Sequence, residues 1–70
     1  MKMTREQLTV LRNWLILSNE NKVPTWRELL KARRNTLYEA HHGGVANHSH
    51  YGTIVIYDDG SYSTYGGHPG

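Results

Sequence analysis

The sequence predicts an α+β protein in which two antiparallel helices pack on a C-terminal β-hairpin. Three observations carry this reading. Two capping-box patterns, Thr4 with Gln7 and Thr25 with Glu28, each open a run of apolar residues at helical spacing. A β-branched and aromatic run, Thr53 to Tyr57, is followed by Asp59-Gly60 and a returning run, Ser61 to Tyr65. Between the two halves, near Gly43, the composition turns to Gly, His, Ser and Tyr. At 70 residues the chain is expected to form a single domain, 1–70.

The first helix is expected over about 4–19. Leu8, Leu11 and Leu15 repeat at helical spacing beside Trp14, and Val10 and Leu17 widen the stripe, while Arg5, Thr9 and Arg12 lie opposite. The polar loop Asn19-Glu20-Asn21-Lys22 and Pro24 end it. The second helix is expected over about 25–42. Pro24 fixes its start, and Trp26, Leu29, Leu30, Leu37 and Ala40 fall on one face. Arg33 sits within that face as an anomaly, its stem along the apolar surface and its head in water. Gly43 would close this helix in a left-handed conformation, with His41 and His42 at the negative end of its dipole.

The hairpin is expected over about 53–65, with 66–70 as a loose tail. A two-residue turn would set Tyr57 opposite Tyr62 and Val55 opposite Thr64 on one face. A three-residue loop with a bulge at Gly60 would shift that register. A lone hairpin is barely stable in water, so the Ile54/Ile56 side is assigned to the helices. The predicted core is Leu8, Leu11, Trp14, Leu15, Trp26, Leu29, Leu30, Leu37, Ile54 and Ile56.

A chain this short buries only roughly 60% of the surface it exposes when unfolded, which leaves little room for a deep substrate pocket. An enzyme is therefore not expected. Cysteine is absent, which excludes disulfides and thiolate zinc sites and suits a cytoplasmic protein. Met1 to Thr4 shows no signal-peptide character, and the longest apolar run, Trp14 to Leu17, is too short to span a bilayer. No membrane role and no cofactor is indicated. The net charge of +2 conceals an asymmetry. All eight Lys and Arg residues lie in residues 1–35 with only Glu6, Glu20 and Glu28, giving +5 there. Residues 36–70 hold Glu39, Asp58 and Asp59, giving −3. A basic half favours polyanions or acidic protein surfaces.

The candidate site follows from that asymmetry. Arg27, Lys31 and Arg34 recur at i, i+4 and i+7 and form one exposed column; Arg33 adds a fourth cation beside it. Cations at helical pitch suit phosphates or a carboxylate cluster, and the competing reading is a solvated face. Tyr57 and Tyr62 on the hairpin are the aromatic anchors such an interface would use, against a purely structural cross-strand role. His41, His42, His48, His50 and His68 could ligate zinc, copper or nickel, but their spacing fits no strong motif, and polar loop histidines are the simpler reading. Asp58 and Asp59 suit a turn, and Ser49, Ser61 and Ser63 have no fixed base and orienting group, so no catalytic residue is assigned.

The stretch Arg5 to Ala32, with Val23-Pro24-Thr25-Trp26-Arg27-Glu28-Leu29, resembles the opening of winged-helix repressors of the LexA kind. That likeness implies DNA binding with the hairpin as a wing. Where the family has its recognition helix, Asn35 to His42 carries no Lys or Arg. In size, lack of cysteine, partial basicity and helical-pair layout, the whole chain is similar to small phage-encoded regulators of bacterial RNA polymerase. That likeness implies a non-enzymatic regulator of the bacterial transcription apparatus that binds RNA polymerase; the basic column adds the expectation of an acidic surface on that larger protein partner, with weak nonspecific nucleic-acid binding besides. Direct DNA binding through a degenerate winged helix is the second expectation, and a histidine-based metal protein the third.

Overall fold

The computed structural model describes residues 3–49 and 51–66. They form α1 (Arg5–Ser18), α2 (Trp26–Arg34), β1 (Thr36–Glu39), a 3-10 turn (Ala40–His42), β2 (Gly44–Ser49), β3 (Gly52–Tyr57) and β4 (Tyr62–Tyr65). The strands make one antiparallel sheet in the order β1-β2-β3-β4. The fold is therefore α+β with two N-terminal helices, but the expected hairpin is only the outer half of a four-stranded meander. Among the described residues no helix is long and apolar enough to cross a membrane.

α1 forms as its capping box requires. The Thr4 hydroxyl accepts from the Gln7 backbone N–H at 3.1 Å, and the Gln7 side-chain oxygen accepts from the Thr4 N–H at 2.9 Å. The buried Gln7 amide also donates to Asp58 at 3.4 Å, which fastens the start of α1 to the β3–β4 turn. Leu11 and Trp14 lie against Val45, Ile54 and Ile56, with Met3, Val10, Leu15, Ala32 and Tyr51 around them. Each fully buried aliphatic side chain here stabilises the fold by about 1.5–3 kcal/mol.

Residues 25–42 are not one helix. α2 opens with the expected Thr25/Glu28 box but ends at Arg34, and the chain enters the sheet at Thr36. The physical cause joins a neighbouring contact to a distant one. The Ala32 carbonyl accepts from the Thr36 hydroxyl at 3.0 Å and from the buried Asn47 side chain at 2.7 Å, which ties the end of α2 to β2. Asn35 closes the helix with its N–H on Lys31 and Arg33 carbonyls. Gly43 is left-handed, at φ 68°, but it closes the 3-10 turn rather than a long helix. Trp26 and Leu37, both predicted in the core, are exposed; Leu8, Leu15 and Leu30 are half-buried. Val45, Ala46 and Val55 take up the core positions instead.

The β3–β4 register follows the bulged alternative. Tyr57 N–H donates to Ser61 at 2.9 Å and Gly60 N–H to Tyr57 at 3.0 Å, with Gly60 at φ 87°, so the loop is Asp58-Asp59-Gly60. Ile56 then pairs with Tyr62, Val55 with Ser63 and Thr53 with Tyr65. Asp59 anchors this loop by accepting from the Ser61 hydroxyl at 2.6 Å and its N–H at 2.9 Å, which holds its carboxyl below the ordinary value.

α1 covers the sheet face bearing Val45, Ile54 and Ile56. Alternation places Ala46 and Val55 on the other face, where no helix lies, yet both are buried. Their own rim closes over them. Glu39 pairs with Gly44 in the ladder, but its carboxylate reaches His48 at 3.1 Å, four residues along β2, and so spans Ala46. The His42 ring, at the Gly44 end, lies 5.8 Å from the Tyr65 ring, which is paired at the Thr53 end, and so spans Val55. These contacts cover the face opposite α1. A Cβ on Gly44 would collide with the Ile56 carbonyl, so only glycine allows this close approach of β2 to β3.

Candidate functional site

The four cations singled out in the sequence are all on α2, and all are exposed. On this nine-residue helix only Leu29 is buried, with Ala32 half-buried beside it. At 100° per residue, Arg27, Lys31 and Arg34 occupy the crest opposite those two. Trp26, Leu30 and Arg33 form a second column on the flank. None of the four cations makes an ion pair among the described residues, where the only such contacts join Glu39 to His41 and His48. Lys31, Arg33 and Arg34 lie in the last turn, where cations favour the negative end of the helix dipole by about 0.3–1 kcal/mol each. That accounts for three of them near the C-terminus; Arg27, in the first turn, opposes the dipole.

The flank column does not face empty solvent. Leu30, Arg33 and Arg34 line an open groove of about 640 Å³ with Thr36 of β1. Trp26 stands one turn, about 6 Å, before Leu30 on the same column. Tyr38 stands about 6–7 Å beyond Thr36 on the same face of β1. Trp26 is 70% exposed and Tyr38 60%. Two exposed aromatics thus lie on the same elements as the groove and its cations. The sequence reading placed Trp26 in the core and assigned Tyr38 no role. The signal that could have found them is Arg33 itself, a charge inside a supposed apolar face.

Tyr57 and Tyr62 do not form one surface. The bulged register puts Tyr62 on the helix-bearing face, where it borders an apolar groove of about 260 Å³ with Val10, Asn13, Trp14 and Leu17. Tyr57 is on the face opposite α1, half-buried, its hydroxyl donating to Ser63 at 3.3 Å. The expected aromatic pair on the hairpin is therefore split, and neither tyrosine adjoins the α2 cations through the ladder.

The described histidines gather at the face opposite α1. His48 Nε2 is 3.1 Å from Glu39 and its Nδ1 is 3.0 Å from the Thr53 hydroxyl; His41 Nδ1 is 3.8 Å from the same carboxylate. The His41 and His42 rings lie 4.2 Å apart. Among the described residues no three His, Asp or Glu side chains converge on a point that an ion could occupy. His50 and His68 lie outside the described residues. The carboxylate–imidazole–hydroxyl chain has the order of an acid–base relay. Thr53, however, is directly opposite His48 in a continuous strand, so their contact is an ordinary cross-strand pair and no turn lifts the hydroxyl as a nucleophile. The chain clamps β1, β2 and β3 together over Ala46.

No protein-family model matches the chain, and neither a curated protein nor a solved structure matches it.

Proposed function

We propose that this protein is a small non-enzymatic regulator that binds an anionic surface of the bacterial transcription apparatus through α2. The observation that carries the reading is the state of that helix: four exposed cations with no acidic partner among the described residues, beside an exposed tryptophan, on an element that buries only Leu29. Arginine and tryptophan are the side chains that most often dominate binding energy at interfaces. A helix kept for packing alone would bury Trp26. The extension to RNA polymerase as the larger assembly rests on the likeness in size and basicity to phage-encoded regulators. The helical-pair part of that likeness covers only the first half of the chain.

The test compares the wild type with Arg27→Glu/Lys31→Glu/Arg34→Glu for capture of purified bacterial RNA polymerase. The crest is solvent-exposed, so the triple variant is expected to keep its far-UV spectrum, each change shifting stability within about ±0.5 kcal/mol. Binding is expected to fall at least tenfold and to weaken with salt in the wild type alone. Equal capture by both proteins would reduce the crest to a solvated face.

A second reading, duplex DNA binding, is favoured by the helical pitch of the same cations. It lacks the third helix of the winged-helix repressors, since β1 follows α2 directly.

A further inference from the structure

We infer that the groove between α2 and β1 is a binding site for single-stranded nucleic acid. The inference rests on the reading of α2 as the interface and names the anionic component it takes.

Three features select this ligand. The first is charge. Arg33 and Arg34 line the groove, and Arg27 and Lys31 continue along the crest above it. Glu28 is the only acidic residue of α2, and it lies in the first turn on the flank turned away from the groove. The second is aromatic exposure on the two elements that carry the groove. Trp26 and Tyr38 are exposed, and the periods of helix and strand put each on the same side of its element as a groove-lining residue, Leu30 or Thr36. Bases stack on such rings whatever their identity, while guanidinium groups meet phosphates and can themselves stack. The third is shape. The groove is open and lies beside an edge strand, which admits a flexible strand with unstacked bases. A duplex keeps its base faces inside the stack, so Trp26 and Tyr38 would gain nothing from it. An acidic protein surface would use the cations, and the rings only where it set apolar pockets among its carboxylates.

The experiment uses the full chain and four fluorescently labelled or competing probes. These are a 15-nucleotide oligothymidylate, a 15-nucleotide oligouridylate, a mixed-sequence DNA duplex of the same length, and polyglutamate. At low salt both single strands are expected to bind at least tenfold more tightly than the duplex. A preference between them identifies DNA or RNA as the source. Binding should quench the emission of exposed Trp26, and Trp26→Phe should remove the quenching while retaining most of the affinity. Trp26→Ala is expected to weaken binding about 5- to 150-fold, the range for loss of one stacked base. Tyr38→Ala should act in the same direction. If all four α2 cations meet phosphates, the log–log salt slope should be about −2.8, or roughly 50-fold between 50 and 200 mM salt.

Duplex affinity equal to or above that of the single strands overturns the inference in favour of groove reading by α2. Binding of polyglutamate but not of either single strand also overturns it, while sparing the proposed function, because the anionic partner is then a protein surface. Single-strand affinity unchanged by both Trp26→Ala and Tyr38→Ala overturns the aromatic assignment. Failure of every anionic probe, together with no capture of RNA polymerase, removes both readings.

Discussion

The two tryptophans give the sharpest check on the structure, because the sequence places both in the core and the fold separates them. Trp14 is 6% exposed and sits against Leu11, Val45, Ile54 and Ile56; Trp26 is 70% exposed. Truncating a buried tryptophan to alanine costs about 3–5 kcal/mol. At roughly 0.05–0.15 kcal/mol per residue, a chain of this length has only about 3.5–10 kcal/mol to lose. Trp14→Ala is therefore expected to be largely unfolded near its former melting range. Trp26 removes from water about a third of a side chain worth roughly 150–250 Å², so Trp26→Ala should cost at most about 1–2 kcal/mol at 25 cal/mol per Å². Trp14→Phe has a different outcome. Among the described residues the buried indole Nε1 has no hydrogen-bond partner, and an unmatched buried donor costs about 1–3 kcal/mol. Removing it offsets the lost ring area, so this variant should fall within about 1 kcal/mol of wild type. Urea denaturation followed by far-UV circular dichroism gives the three values. Emission from the Trp26→Phe protein should be blue-shifted and that from Trp14→Phe red-shifted. Equal destabilisation by the two alanine variants would mean that α2 packs through Trp26, and the proposed site would collapse with that finding.

Three other outcomes follow from particular contacts. Gly44→Ala is expected to destabilise the protein by about 2 kcal/mol or more, because its Cβ meets the Ile56 backbone rather than a side chain that can rotate; a melting shift under 4 °C would contradict that packing. Glu39→Gln should lose only about 0.5–1 kcal/mol in chemical denaturation, since His48 is half exposed and screened, and a loss above 2 kcal/mol would show a drier clamp than the geometry gives. Backbone amides of α2 should exchange with deuterium faster than those of Leu11–Leu15 in α1, and become protected when an anionic partner binds; equal protection in the free protein would make α2 part of the rigid core.

Much of the first half was legible in the sequence because its signals are local. Both capping boxes form, and Leu11, Trp14 and Leu29 are buried. The error at 35–42 came from trusting periodicity across a real boundary. Leu37 and Ala40 continue a 3.6-residue period by coincidence, while the event that ends α2 is non-local: Asn47, fifteen residues away, takes the Ala32 carbonyl. No helix-end rule contains that contact. β2 was missed because Gly44-Val45-Ala46-Asn47 has little β-propensity, and its place is set by pairing on both edges. Of the site, the cations of α2 were legible, since exposed charge needs no partner to be recognised. Trp26 was not, because an indole at a core-facing phase is ordinarily core, and the groove needed β1 to exist. The Tyr57–Tyr62 pairing failed on a single residue of loop length, which moves one ring to the opposite face.

α2 is a poor helix by its own chemistry, and that bears on its role. Nine residues lie below the length at which an isolated helix holds in water. Arg27 and Lys31, and Lys31 and Arg34, are like-charge neighbours that each cost about 0.2–0.5 kcal/mol. Arg27 opposes the dipole, and Trp26 leaves an indole in solvent. Against this stand Leu29, half-buried Ala32, the capping box, and the two hydrogen bonds received by the Ala32 carbonyl. Stability alone would be better served by glutamates among the cations and a polar residue at 26. The β1–β2–β3 clamp and α1 hold the fold together without demanding this pattern. An anionic strand or surface laid along α2 would relieve the charge repulsion and cover the indole together, so one ligand would remove both defects.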